Sequence, residues 1–188
     1  MRKMFGWLLV AALPLLGGCA AAVIGGAAAT GVLVANDRRT VGTVTEDQGI
    51  ELKSSGRVGA GVKDAHINIT SYNKMVLLTG EAPNAAAREE AERITRGVEN
   101  VRGVYNELQV AGTSALSART NDAYITSKVK ARFVDGRKFN PVHVKVVTES
   151  GVVYLMGIVN RAEGEAATDI ARTTSGVQKV VRLFEYMD

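Results

Sequence analysis

Few side chains in this sequence could do chemistry. Its 188 residues contain one cysteine and two histidines. His66 and His143 could ligate a metal or move protons, but neither is accompanied by a cysteine or an acidic cluster, so both read as solvated strand-edge side chains. Glu89-Glu90 and the Glu163/Glu165 pair could serve acid–base work. They fall on short polar helical stretches, where a solvated face accounts for them. The glycines between 56 and 61 lack the strand-to-helix context and the lysine of a phosphate-cradling loop. No catalytic residue, metal or cofactor is assigned, and no enzyme is expected. The lone Cys19 excludes an internal disulfide framework and any multi-cysteine zinc or iron–sulfur site. It is nevertheless the one nucleophile with a distinctive setting.

That setting is the end of an N-terminal targeting segment. Arg2 and Lys3 precede an apolar run from Leu8 to Leu16, then Gly17-Gly18-Cys19. A basic start, a short apolar centre and small residues make a secretory signal, too short for a helix spanning the bilayer. Leu16-Gly17-Gly18-Cys19 resembles a bacterial lipobox, which implies cleavage after residue 18, diacylglycerol on the thiol and acylation of the new amine. Several acyl chains anchor stably where one does not, at about 0.8 kcal/mol per buried methylene. Ala20, rather than Asp, follows the cysteine, which favours sorting to the outer membrane. Residues 20–35 are apolar but carry three glycines, and read as a pliable tether near the membrane. The signal removes Arg2 and Lys3, so the formal charge of +4 falls with cleavage; neither value marks a dedicated nucleic-acid binder.

The remainder is one unit written twice. His66-Ile67-Asn68-Ile69 aligns with His143-Val144-Lys145-Val146, and Val76 to Gly80 with Val153 to Gly157. Asp47 and Ile50 pair with Asp122 and Ile125 at a spacing shorter by two residues. The second copy predicts a helix over about 122–134 capped by Asn121 or Asp122, and a strand through Val142, Val144 and Val146. A turn at Glu149-Ser150-Gly151, a strand over 153–159, a helix over 161–174, a stop at Gly176 and a strand over 177–186 follow. In the first copy Asn73-Lys74 makes the turn, Asn84 caps the second helix, and Val101 to Val110 closes the unit. Its opening helix is weakened by Gly49, Gly56, Gly59 and Gly61. The fold class is α+β, each copy α-β-β-α-β with helices packed on a three-stranded sheet. The expected organisation is a signal at 1–18, an acylated tether at 19–41, domains at 42–111 and 121–188, and a linker at 112–120.

Each repeat resembles the BON domain. The likeness lies in Val76-x-Leu78-x-Gly80 with Val101-x-x-Val104-x-Asn106-x-Leu108, and in Val153-x-Leu155-x-Gly157 with Val177-x-x-Val180-x-Arg182-x-Phe184. The second copy departs at Arg182 and Phe184, and the first has Asn100 where the second has Gly176. Together with the lipobox, the apolar tether and Asp37-Arg38-Arg39-Thr40-Val41-Gly42-Thr43, the pattern resembles dual-BON outer-membrane lipoproteins. The resemblance implies a periplasm-facing protein that supports envelope integrity, is enriched at the division site and contacts anionic phospholipid through its second domain.

Charge distribution bears on that expectation. Residues 42–110 hold eight Lys/Arg against ten Asp/Glu, whereas 121–146 hold six bases against two acids. At 100° per residue Ile125, Val129 and Phe133 share a core face, while Tyr124, Ser127, Lys128, Ala131 and Val134 lie on another flank, with Arg132 at its margin. The resemblance carries the phospholipid-binding role to Tyr124, Val129 and Val134, with Lys128 and Arg132 as electrostatic partners. Phosphatidylglycerol and cardiolipin are the expected lipids. A competing expectation is an adaptor whose acidic first domain docks the outer-membrane assembly machinery.

Overall fold

A computed structural model describes residues 37–187. The signal segment, Cys19 and the apolar tether to residue 36 lie outside them. The described chain runs α1 (Val41–Gly61), β1 (His66–Tyr72), β2 (Met75–Ala82), α2 (Ala85–Arg96), β3 (Gly103–Asn106) and β4 (Gln109–Val110). It continues with α3 (Leu116–Gly136), a 3-10 turn (Pro141–His143), β5 (Val144–Glu149), β6 (Val152–Val159), α4 (Arg161–Arg172) and β7 (Lys179–Tyr186). The order α-β-β-α-β is thus present twice. In each copy a hairpin pairs antiparallel and the closing strand joins its second strand in parallel, giving the orders β1-β2-β3 and β5-β6-β7.

The hairpins follow from their turn residues. Asn73 and Lys74 both adopt positive φ, at 51° and 65°, as do Ser150 and Gly151 at 50° and 74°. Two consecutive left-handed residues match the twist of the flanking strands. Each turn is then held by the acid found at the repeat position. Asp47 accepts the backbone N–H groups of Asn73 (2.9 Å) and Lys74 (2.7 Å), and Asp122 those of Ser150 and Gly151 (both 2.9 Å). Asp122 therefore does not cap α3. That helix starts at Leu116, six residues before it, behind Ala115, which makes no side-chain cap. Its early turns are secured by Arg119, which donates to the Ser114 carbonyl and hydroxyl, and by the Thr120 hydroxyl on the Leu116 carbonyl. Half of the expected linker is helix.

Other expectations shift in the same way. Helix α1 is continuous despite its glycines. Thr40 caps it by accepting the Thr43 N–H at 3.1 Å, and Asp47, Ile50, Ser54 and Val58 form its buried stripe. Packing of that stripe outweighs glycine's roughly 1 kcal/mol deficit per position. Val142 and His143 belong to a 3-10 turn, not to the strand, because the Asn140 side chain accepts the Val142 N–H and Pro141 opens the turn. The closing strand of the first copy is broken at Glu107-Leu108. Asn106 bonds the Arg88 carbonyl and Glu92 through its amide nitrogen and the Leu108 N–H through its oxygen, which drops Leu108 into the core. In the second copy Arg182 and Phe184 occupy these places and β7 runs unbroken.

The signature glycines have a steric cause. A Cβ on Gly80 would lie 2.1 Å from the His66 carbonyl oxygen, and one on Gly157 2.4 Å from that of His143. Only glycine lets the hairpin strands close at these points.

Alternation along the central strands builds three cores. Val76 and Leu78 of β2 face α1 and α2 with Ile50, Val58 and Ala91, while Val153, Leu155 and Val159 of β6 face α3 and α4 with Ile125, Val129 and Phe133. The opposite faces are apolar as well. Leu77 and Tyr72 of the first sheet pack against Tyr154 and Met156 of the second, flanked by Met75, Tyr105, Val181 and Leu183. The two domains are joined back to back through their sheets, with the helices outermost. Polar links edge this seam: Asn68 donates to Glu149 (2.8 Å), Lys145 to Glu51 (2.8 Å), and Arg102 pairs with Glu185 (3.0 Å).

The expected tether boundary at residue 41 also moves. Arg38 reaches the second domain, donating to the Ile158 carbonyl (2.8 Å) and to both oxygens of Glu163 (2.6 and 2.9 Å). Arg39 donates to Asp47 and lies over the Tyr72 ring at 4.0 Å. Both arginines are part of the folded body.

Candidate lipid-facing helix and the interdomain cluster

Helix α3 carries every described residue expected to meet lipid, and the structure divides them. Ile125, Val129 and Phe133 are buried at 1%, 0% and 1% exposure in the second domain's core. Val129 is therefore removed from the candidate surface: its side chain faces β5 and β6 and reaches no lipid. Tyr124 and Val134 stand out at 61% and 60% exposure. Lys128 lies over the Tyr124 ring at 4.7 Å and donates its ammonium to the Ser175 carbonyl. Arg132, one turn further on, reaches the same end of α4, donating to the Ile170 carbonyl (3.0 Å) and to the hydroxyls of Thr174 (2.8 Å) and Thr173 (3.1 Å). It satisfies the carbonyl end of α4, a structural duty in addition to its charge.

A further residue joins this face because the helix is longer than expected. Leu116, 77% exposed, sits at the same angular position as Val134, five turns away. Leu116, Tyr124 and Val134 span an 80° arc along about 27 Å of helix, with Ala123, Ser127 and Ala131 between them. The sequence signal for Leu116 was its spacing of 18 residues from Val134, hidden by its placement in a linker. Exposed Lys130, Arg137 and Lys138 flank the face. Arg137 adopts positive φ (48°), turning the chain sharply at the end of α3. Three large apolar groups among bases suit a surface with acyl chains beneath and phosphates above. Among the described residues no helix is long and apolar enough to cross a membrane.

The histidines lie elsewhere, and one of them corrects the reading from sequence. His66 Nδ1 is 3.3 Å from Glu81 Oε2, and Glu149 of the other domain completes a cluster whose ligand-type atoms all lie within 4.8 Å of one another. An acidic cluster does accompany His66, contributed by strand pairing and by domain packing that local sequence does not reveal. His143 is 3.8 Å from Glu163 Oε1, beside Arg38. The Arg38 hydrogen bonds hold the Glu163 carboxyl below its ordinary value, aided by the Asn160 N–H and opposed by burial. Burial and the nearby charges of Glu107 and Glu149 push the Tyr154 phenol up to about 12. Of the paired acids Glu90 is a surface group that pairs with Arg93 at 2.6 Å, whereas Glu163, expected on a solvated face, is partly buried, where it holds Arg38 and closes a capping box with Asn160.

Comparison with known proteins agrees with this architecture. The BON domain family model matches residues 46–112 and again 121–188. The chain is 42% identical over 185 residues to the outer membrane lipoprotein DolP of Haemophilus influenzae, covering 96% of this chain and 95% of that protein. It is 32% identical over 154 residues to a 21 kDa hemolysin of Actinobacillus pleuropneumoniae (80% and 79% covered). It is 31% identical over 155 residues to osmotically-inducible protein Y of Escherichia coli (80% and 77%). None of these matches indicates a catalytic family. With two BON domains and near-complete coverage of a lipoprotein relative, the chain belongs to the BON-domain family as a DolP-like outer-membrane lipoprotein.

Proposed function

We propose that this lipoprotein is anchored through acylated Cys19, faces the periplasm, and reads anionic phospholipid with the outer face of α3. The carrying observation is that Leu116, Tyr124 and Val134 are each more than half exposed on one arc of that helix, among lysines and arginines. A phenol ring at headgroup level and ammonium groups on phosphates act together. Each base near an anionic surface contributes about 1 kcal/mol, so the contact is weak and reversible. Anchoring raises the effective lipid concentration enough for weak contact to persist. Phosphatidylglycerol and cardiolipin supply the required charge. A role in envelope integrity, with enrichment at the division site, follows from a protein that samples anionic lipid there.

The test is co-flotation of the full chain carrying Cys19→Ser with vesicles of phosphatidylcholine containing or lacking phosphatidylglycerol. Tyr124→Ala with Val134→Ser and Lys130→Glu should reduce binding at least tenfold while leaving the urea midpoint within experimental error. Arg132 is kept, since it holds α4. Undiminished flotation by the triple variant would overturn the reading. A single protein adduct crosslinked in cells from sites on α1 or α2 would instead favour the adaptor.

A further inference from the structure

At the seam between the domains, two carboxylates are buried with too little positive charge. Glu81 on β2 is 5% exposed and Glu149 at the end of β5 is 6% exposed. Buried carboxylates are expensive unless paired. Elsewhere in the fold Asp47 has Arg39 and Glu163 has Arg38, while buried Asp122 is held by two backbone N–H groups of its hairpin turn. Among the described residues Glu81 has the Ser114 N–H and, as its one potential cation, His66, while Glu149 has the neutral amide of Asn68. The nearby bases are committed, Lys145 to Glu51 and the Ser71 carbonyl, Arg119 to Ser114.

The donor set suits a metal. His66 Nδ1 is buried, points at the carboxylates and makes no hydrogen bond of good geometry. One imidazole nitrogen and two carboxylate oxygens are borderline-to-hard ligands of the kind that hold zinc with one position left for water. Tetrahedral zinc needs ligand atoms about 3.4 Å apart, which small side-chain rotations reach from separations within 4.8 Å. The carboxylates are already oriented from behind, Glu149 by Asn68 (2.8 Å) and Glu81 by the Ser114 N–H (3.1 Å). A cavity of about 490 Å³ lined by His66, Glu149, Asn68 and Arg119 opens beside them, giving a route in for the ion and room for its water.

We infer that His66, Glu81 and Glu149 form a divalent-cation site of the zinc class, complete only when both domains are packed together. Bound metal would neutralise the buried pair and clamp the sheets. The proton on His66, where present, is released to solvent on binding, and no redox step is involved.

Isothermal titration of ZnCl2 into the untagged full chain in detergent tests this, with Cys19→Ser throughout so that no thiol competes. One ion should bind with micromolar or better affinity, and Co2+ should give the visible absorption bands of a low-coordinate site. His66→Gln and Glu149→Gln, one in each domain, should each weaken binding about 100-fold or more and abolish the zinc-dependent rise in Tm. His143→Gln should bind like the parent. Should one variant unfold without metal, the other decides. Absence of binding in the parent, or binding that survives both substitutions, would overturn the inference.

Discussion

Helix α1 holds its hairpin through Asp47 and fills its core through Ile50, as α3 does through Asp122 and Ile125, yet their outward faces have diverged. On α1 the exposed apolar residues are Val41 and Leu52, and the neighbouring charges are mixed: Glu46, Glu51, Lys53 and Arg57. On α3 they are Leu116, Tyr124 and Val134, with Lys128, Lys130 and Arg132 on the helix and Arg137 and Lys138 just beyond. The positions that make the fold are duplicated, whereas those that meet the surroundings are not. Duplication thus supplied two scaffolds, and the proposed division of labour between them rests on exposed side chains, Leu116, Tyr124 and Val134 above all, that the cores do not constrain.

The sharpest way to break this equivalence is at the acids under the hairpins. Both should be required, but unequally. Asp47 accepts four bonds, from Asn73, Lys74, the Ser71 hydroxyl (2.6 Å) and Arg39 (2.9 Å), where Asp122 has, among the described residues, its two turn amides. Leaving buried donors unpaired costs about 1–3 kcal/mol. Asp47→Ala should therefore destabilise by about 3 kcal/mol and Asp122→Ala by about 2 kcal/mol, read from urea unfolding midpoints. Equal losses would mean that the Arg39 and Ser71 contacts contribute nothing.

A second asymmetry is the clasp of Arg38 on Glu163, which has no counterpart in the first domain because Ala87 occupies the place equivalent to Glu163. Arg38→Ala should lower stability by about 1 kcal/mol, as expected for a partly buried charge-assisted pair. The clasp also sets a direction in pH. The folded carboxyl titrates below its ordinary value of 4.5, so its contribution is present above that value and fades as pH falls through the lowered one. Below about pH 4.5 the gap in Tm between the parent and Arg38→Ala proteins should narrow, leaving the part due to the Ile158 carbonyl; a difference that persists undiminished at pH 3 would contradict the assignment.

Such asymmetries also mark what the sequence could disclose. Hairpins, helix α4 and the core of α3 were legible because turn residues and 3.6-residue spacing act locally. Asp47 and Asp122 were visible as a repeated pair, but their task was not, since the amides they bind lie 26 to 29 residues away. Val129 had two readings, core from its spacing and lipid contact from the family resemblance, and packing against β5 and β6 chose the core. Leu116 was lost to a linker because its helix begins without a capping side chain. The His66 cluster needed both strand register, which places Glu81 opposite, and the seam between sheets, which delivers Glu149. Local pattern carries no information about the last of these.

The smallest expected effect lies where the two copies differ by one turn residue. Asn100 and Gly176 hold equivalent places before the closing strands, and both have positive φ, 67° and 97°. Asparagine tolerates this region better than most residues but still carries strain of about 1 kcal/mol relative to glycine. In the first domain part of that strain is offset by the Asn100 amide donating to Glu46 at 2.9 Å, an exposed bond of modest worth. Asn100→Gly should therefore stabilise, by about 0.5 kcal/mol. The reverse exchange is not its mirror image. A Cβ at Gly176 would meet the buried Ile125 side chain at 3.1 Å, so Gly176→Asn adds crowding of the core to backbone strain. Its loss should exceed the gain at Asn100 at least twofold in urea midpoints; equal and opposite shifts would show that the turn is decided by backbone conformation alone, with Ile125 free to move aside.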